Sequence, residues 1–133
     1  MLVALFCFAC AGNDPAPPPA GSVAPASVGS SRKIDVATLR ADLDAHKVPV
    51  LVDVRTPGEF AGGHVAGAVN VPVGDLSGRL GELEAFRGGE VYVICEVGGR
   101  SASATRELER AGFHAVDVGG GTAAWRGAGF PTE

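Results

Sequence analysis

Long clusters of lysine or arginine are missing from this sequence, and its formal net charge is -4 at pH 7. Nucleic acid and anionic membrane surfaces are therefore not expected as partners, since both are recognised through concentrated positive charge. Long apolar runs are missing as well. The best candidate, MLVALFCFACA at 1–11, is far short of the roughly 20 residues that span a bilayer. Cysteine is scarce: Cys7, Cys10 and Cys95 are the whole set. The first two form a CxxC, but it stands in an apolar leader without a second ligand pair, which argues against zinc and against thioredoxin-like exchange. Glu59 and His64 have no third ligand nearby in sequence, and no internal repeat occurs. No metal and no cofactor are expected.

Hydrophobic residues make up 46% and charged residues 20%, a balance that supports a folded core rather than a solvated chain. Residues 1–11 fit the apolar region of a signal peptide. Their end, CFAC before AGND, is similar to a bacterial lipobox in which Ala9 precedes a lipidated Cys10, although Cys7 stands where such boxes usually carry leucine. Ordinary secretion, with cleavage at Ala9-Cys10-Ala11, is the alternative. No positively charged segment precedes the run, so a start upstream of Met1 is expected. Residues 12–31, GNDPAPPPAGSVAPASVGSS, hold one charge and no apolar period, and cannot bury enough surface to fold. They read as a tether, leaving 32–133 as one domain of about a hundred residues. The expected location is the periplasmic side of the cell envelope, with membrane contact only through the lipid, and the expected assembly state is a monomer. Processing at Cys10 would leave Cys95 as the only free thiol, so transfer chemistry would need an outside thiol.

Within the domain, short β-branched runs alternate with helical patterns, the signature of an α/β fold with a mainly parallel sheet. Asp35 is placed to cap a helix over 36–46, where Val36, Leu39 and Leu43 share a face. VLVDV at 50–54 and AVNV at 68–71 read as strands buried on both faces, the second ended by Pro72. Asp75 is expected to open a helix with Leu76, Leu80, Leu83 and Phe86 on one side, stopped by Gly88-Gly89. VYVIC at 91–95 is the most apolar strand and should lie mid-sheet. A helix over 101–112, a strand AVDV at 115–118 and a short helix around Trp125 complete the set.

The most informative segment is Cys95-Glu96-Val97-Gly98-Gly99-Arg100-Ser101, a cysteine at the carboxyl end of a strand just before a helix. Open α/β sheets bind ligands at that edge. Backbone N–H groups of the loop and of the first helical turn can point inward together, making an anion cradle. A thiolate or persulfide at its centre is favoured by the same groups. Gly98 and Gly99 let the backbone curl, and Arg100 brings a planar guanidinium suited to an oxyanion. Ser101 is expected to cap the helix or line the loop, not to act as a second nucleophile. The competing reading of Cys95 is a buried cysteine packing as a small hydrophobe.

CEVGGR at 95–100 resembles the C-x-x-G-x-R loop of the rhodanese (sulfurtransferase) family. LVDVRTPGEFAGGHVAGAVNVP at 51–72 is similar to that family's upstream motif, and Gly120-Gly121-Thr122-Ala123-Ala124-Trp125 to its terminal G-G-x-x-x-W. The resemblance runs over roughly 33–133. It implies a five-stranded, mainly parallel sheet with helices on both faces. It also implies that Cys95 takes a sulfane sulfur from a donor such as thiosulfate or a polysulfide, and that a thiol or cyanide receives it. Asp53, Arg55, Glu59, His64 and Trp125 would be structural supports, and His46 and His114 surface residues. Phosphatases on this fold carry five residues between cysteine and arginine; here there are four, which suits one sulfur atom better than a phosphate. A non-catalytic binding or sulfur-sensing module is the alternative, and retention of both Cys95 and Arg100 speaks against it. Glu96 departs from the family, whose members often place a basic or neutral residue there. If it faces the pocket, its charge should oppose a dianionic donor and make thiosulfate a poor one.

Overall fold

The computed structural model describes residues 31–133; the leader, Cys7, Cys10 and residues 12–30 of the tether lie outside the described residues. The β-branched runs form β1 (Arg32–Ile34), β2 (Val50–Asp53), β3 (Val69–Asn70), β4 (Glu90–Ile94) and β5 (His114–Val118). They make one sheet in the order β1-β5-β4-β2-β3, with every neighbouring pair parallel. β4 takes the centre, as its composition demands, because a central strand is covered on both faces. Its Val91, Tyr92, Val93 and Ile94 are all buried.

Alternation along the strands sends side chains to two cores. Val52, Val54, Val91, Val93, Cys95 and Ala115 face one way and pack with Ala104 and Leu108 of α3 (Gly99–Arg110). Ile34, Leu51, Tyr92, Ile94, Val116 and Val118 face the other way, onto Leu39 of α1 (Val36–Asp44) and Trp125 of α4 (Gly121–Gly127). Helices therefore cover both faces of an α/β sheet. α1 starts where Asp35 accepts a hydrogen bond from Thr38 N at 2.8 Å. It ends before His46, which takes a left-handed φ of 55° and turns the chain toward β2.

Three elements differ from expectation. The segment opened by Asp75 is not an α-helix but two 3-10 helices, Val73–Gly78 and Leu80–Phe86. Gly74, Gly78 and Gly81 weaken an α-helical run, and an apolar spacing of three and four serves a 3-10 turn nearly as well. Leu76 and Leu83 are still buried, so the apolar face is the expected one and only the helix type differs. AVNV contributes only Val69–Asn70, and as an edge strand rather than an inner one; Val69 is 45% exposed. The short helix α2 (Pro57–Ala61) was not foreseen, although Thr56 and Glu59 form a capping box with Pro57 at its first position.

The Gly-rich stretch before α4 is where the fold touches the cysteine loop. Gly121 has φ +62°, and a Cβ there would lie 2.3 Å from Cys95 O and 2.5 Å from Glu96 O. That proximity lets Thr122 N donate to Cys95 O at 2.8 Å and Ala123 N to Glu96 O at 3.0 Å. Gly121→Ala should therefore destabilise the domain by about 2–5 kcal/mol, from left-handed strain plus overpacking. Urea unfolding of the two proteins measures this; a loss under about 0.5 kcal/mol, the range of a neutral surface change, would contradict the close approach.

Candidate active site

Cys95 follows directly on β4, so its sulfur emerges at the carboxyl edge of the central strand, and the residue is only 1% exposed. The chain must then turn into α3 within four residues. Gly98 makes this possible at φ 113°, a conformation that costs a side-chain-bearing residue dearly, and it is the N-cap of α3. The turn brings Gly98 N to 3.0 Å from Sγ, donating to it. Burial pushes the Cys95 thiol up, but the Ser101 hydroxyl and the N–H groups of Ser101, Gly98 and Val97 together outweigh it. The net effect is a thiol below its ordinary range. Within 95–101, the N–H groups of Val97, Gly98 and Ser101 are the ones directed at Sγ. Ser101 lines the loop, with Oγ 3.5 Å from Sγ; the cap itself falls to Gly98. Val97 offers its amide inward while its side chain is 72% exposed.

Around this cradle the charged residues pair with one another. Arg55 is 1% exposed, and its guanidinium donates to Asp53 (Nη2 to Oδ2, 2.7 Å; Nε to Oδ1, 3.0 Å), to Gly63 O at 2.8 Å and to Glu96 Oε2 at 3.1 Å. Burial works against its charge, yet Asp53 and then Glu96 hold it above its ordinary value. Arg100 uses its fork on Glu59, Nη1 to Oε2 at 2.7 Å and Nη2 to Oε1 at 2.9 Å. The Arg100 guanidinium expected to serve an oxyanion is thus engaged by Glu59. Its charge is committed to α2, although it still lies close enough to the Cys95 sulfur to be raised by it, after Glu59.

Glu96 requires a correction. Its carboxylate does not stand uncompensated beside the sulfur: Oε2 accepts from Arg55 and Oε1 from Arg126. Asp53, Glu59 and Glu96 thus match Arg55, Arg100 and Arg126 one for one. Repulsion of a dianion by Glu96 alone is not what this arrangement provides; it provides a mouth whose three guanidiniums are each matched by a carboxylate.

The remaining supports behave structurally. His64 stacks on Phe60 with ring centroids 3.7 Å apart, and its Nδ1 lies 2.9 Å from Phe60 O. Glu59 accepts from Thr56 N at 2.9 Å besides holding Arg100. Trp125 is buried and donates Nε1–H to Pro131 O at 2.9 Å. His46 and His114 are exposed. Sequence reading missed four residues. Asn70 donates to Asp53 O and Arg55 O at 3.0 and 2.9 Å. Thr122 and Arg126 hold the loop from α4. Asp117 Oδ1 lies 2.6 Å from Ser101 Oγ. Asn70 and Thr122 stand inside the quoted motifs, Thr122 at a position the motif leaves open; Thr122, Arg126 and Asp117 are joined to their partners across 16 to 30 residues, and no local pattern announces those contacts.

A family model for the rhodanese-like domain matches residues 35–128. The chain belongs to the rhodanese-like domain family. It is 41% identical over 98 residues to thiosulfate sulfurtransferase 16, chloroplastic, of Arabidopsis thaliana, a match covering 62% of this chain and 78% of that protein. It is 33% identical over 100 residues to a sulfurtransferase of Allochromatium vinosum, covering 74% and 92%. Among solved structures, a rhodanese-related protein from Thermoplasma volcanium superposes with a TM-score of 0.70 at 34% identity, over 77% of this chain and 97% of that one. This rhodanese-like protein is, at the level of its family, a sulfurtransferase.

The clamp between α2 and α3 has a pH signature. Arg100 and the Thr56 N–H hold the Glu59 carboxyl well below its ordinary 4.5, at about 2. A depressed carboxyl contributes stability that is present above its unfolded value and lost as pH falls through the folded one. The stability gap between this rhodanese-like domain and its Glu59→Gln variant should therefore be steady above about pH 5 and close as pH drops toward 2. Chemical denaturation of both across that range reads it; a gap that does not change with pH would show that the ion pair is not the source.

Proposed function

We propose that Cys95 carries sulfane sulfur as a persulfide, taking it from thiosulfate, a polysulfide or another persulfide and passing it to a thiol or cyanide. The observation that carries this reading is the sulfur of Cys95 held 3.0 Å from Gly98 N inside a ring of inward N–H groups. In the first half-reaction the thiolate attacks the outer sulfur of the donor. The new S–S bond forms as the donor's S–S bond breaks, and the electron pair leaves on sulfite or on a thiolate. In the second, an external nucleophile takes the terminal sulfur and Cys95 departs as the thiolate again. The same N–H groups favour the anion at the start and at the end, which is what a carrier requires.

Donor choice follows from the charge pairing. With three guanidiniums each matched by a carboxylate, a doubly negative donor finds fixed dipoles but no free cation. A donor with less charge at its transferable sulfur, such as a neutral organic polysulfide or a singly charged protein-bound persulfide, suffers less from this and is the better donor. The recessed sulfur favours the same class, since a slender terminal sulfur reaches it and a tetrahedral phosphate ester does not. Loading the protein with thiosulfate and with a neutral organic polysulfide in parallel, then weighing the Cys95 peptide, tests both points. One added sulfur on Cys95, arriving faster from polysulfide, is expected, and none on Cys95→Ser. Equal thiocyanate production by Cys95→Ser and the unaltered protein, at matched circular dichroism, would refute the assignment.

The domain works at the cell envelope in this reading, held there by acyl chains on Cys10 and a Pro-rich tether. Two acyl chains anchor a soluble domain stably. Expressed in a bacterium, the full chain should fractionate with membranes, and Cys10→Ser should move it to the soluble fraction. A protein that is soluble in both forms would remove the anchor from the proposal.

A further inference from the structure

Asp117 is a buried carboxylate that the sulfur chemistry above leaves without a task. It lies on β5 at 5% exposure, and its Oδ1 is 2.6 Å from Ser101 Oγ. That oxygen is also 3.0 Å from Gly98 O and 3.5 Å from Cys95 Sγ. A serine hydroxyl has a single proton to give. Of its three neighbours the carboxyl oxygen is nearest, and whenever Asp117 is ionised it takes that proton. The serine oxygen then faces the sulfur as an acceptor, and what satisfies it is the S–H of a thiol. For the hydroxyl to turn and donate to a thiolate, Asp117 must hold a proton of its own, because two bare acceptors cannot face each other at 2.6 Å. Cys95, Ser101 and Asp117 thus have two fully hydrogen-bonded arrangements containing the same number of protons.

We infer that Asp117 receives the thiol proton of Cys95 through Ser101 when the thiolate forms, and returns it through the same hydroxyl. The S–H bond breaks as an Oγ–H bond forms, the original Oγ–H bond breaks as Oδ1–H forms, and total charge is unchanged. After the thiolate has attacked the donor, Asp117 is a neutral acid and Ser101 donates to the Cys95 sulfur. When an acceptor removes the outer sulfur, Cys95 leaves as a thiolate onto a hydroxyl already turned toward it, and the proton runs back. Asp117 touches no reacting atom; it is a positioning residue that acts through Ser101. The inference rests on Cys95 being the sulfur carrier.

The surroundings of Asp117 leave this exchange local. From β1, Lys33 is level with it in the ladder and exposed; from β4, its ladder partner is the uncharged Val93. From α3 comes Ser101, while the adjacent Arg100 is held by Glu59. His114 and Glu90 are paired in register at the far end of the β4–β5 ladder.

The rate of Cys95 alkylation by iodoacetamide, measured against pH in the full chain, tests the relay, with peptide mass spectrometry separating Cys95 from Cys7 and Cys10. A thiol and a carboxyl sharing one proton titrate as a pair, and a fixed fraction of the singly protonated pair is thiolate. The unaltered protein should accordingly show a pH-independent shoulder between two titration steps. Asp117→Asn, which offers an oxygen to Ser101 but cannot hold a proton, should lose the shoulder and fall about tenfold per pH unit below a single step. Ser101→Ala should lose it too. A single step in the unaltered protein overturns the relay without recourse to any variant, as does a shoulder that survives in Asp117→Asn. Polysulfide loading of the same samples keeps the two ideas apart. A Cys95 that accepts sulfur but shows no shoulder leaves the carrier and removes the relay, and a shoulder without sulfur uptake does the reverse.

Discussion

A guanidinium withdrawn from water has to be matched, and the Arg55 side chain is the point at which this domain meets that demand. At 1% exposure it is bound by Asp53 at the end of β2, by the Gly63 carbonyl and by Glu96 in the cysteine loop. Removing one partner of a buried pair typically costs about 3–5 kcal/mol, because the other is stranded. Three separate segments are therefore held to one another by a single planar cation. Asn70 reinforces the same corner by donating to the carbonyls of Asp53 and Arg55. The sheet edge that carries Cys95 is thereby fixed by groups that never touch the sulfur.

Onto this rigid edge the chain mounts a loop whose own conformation is expensive. Gly98 at φ 113° and Gly121 at φ 62° supply backbone shapes that other residues adopt only with strain. What these glycines permit is convergence: amides of Val97, Gly98 and Ser101 point at one atom from the loop side, while α4 takes up the carbonyls of Cys95 and Glu96 from behind. Burial alone would keep the thiol protonated. Preorganised dipoles outweigh that burial and bring the thiol below its ordinary range, and since they are already in place no reorganisation is needed as charge develops.

Much of this was legible in the sequence where the signal is local. The β-branched runs at 50–53 and 91–94, the helix over α3 and the cysteine loop each occupy consecutive residues, and their periods and glycines identify them. Where the signal is not local, reading failed in two ways. Leu76, Leu80, Leu83 and Phe86 recur at spacings that α and 3-10 geometry share, so the pattern located a buried face but not the helix type. Arg100 and Glu96 were judged by charge and position alone, as though no counter-ion existed. Their partners Glu59, Arg55 and Arg126 lie 30 to 41 residues away. Only the fold brings those charges together, and it removes Glu96 as an uncompensated charge beside the sulfur.

The pairing of every guanidinium near the mouth leaves the sulfur to be served by dipoles, and dipoles differ in one respect from ions: most of them cannot move. The amides of Val97, Gly98 and Ser101 are fixed by the loop and by α3, and they aim at Sγ. In the proposed persulfide the negative charge shifts outward by one atom, so a cradle suited to the thiolate is no longer centred on the anion. Some donor must readjust, or the loaded and unloaded states would differ too much in energy for sulfur to be both taken and given. Ser101 Oγ–H is the one rotatable donor in the ring, and its freedom to turn is governed by whichever group claims its proton. That group is Asp117, at 2.6 Å, and the balance between accepting sulfur and releasing it is then set by a carboxylate on the neighbouring strand.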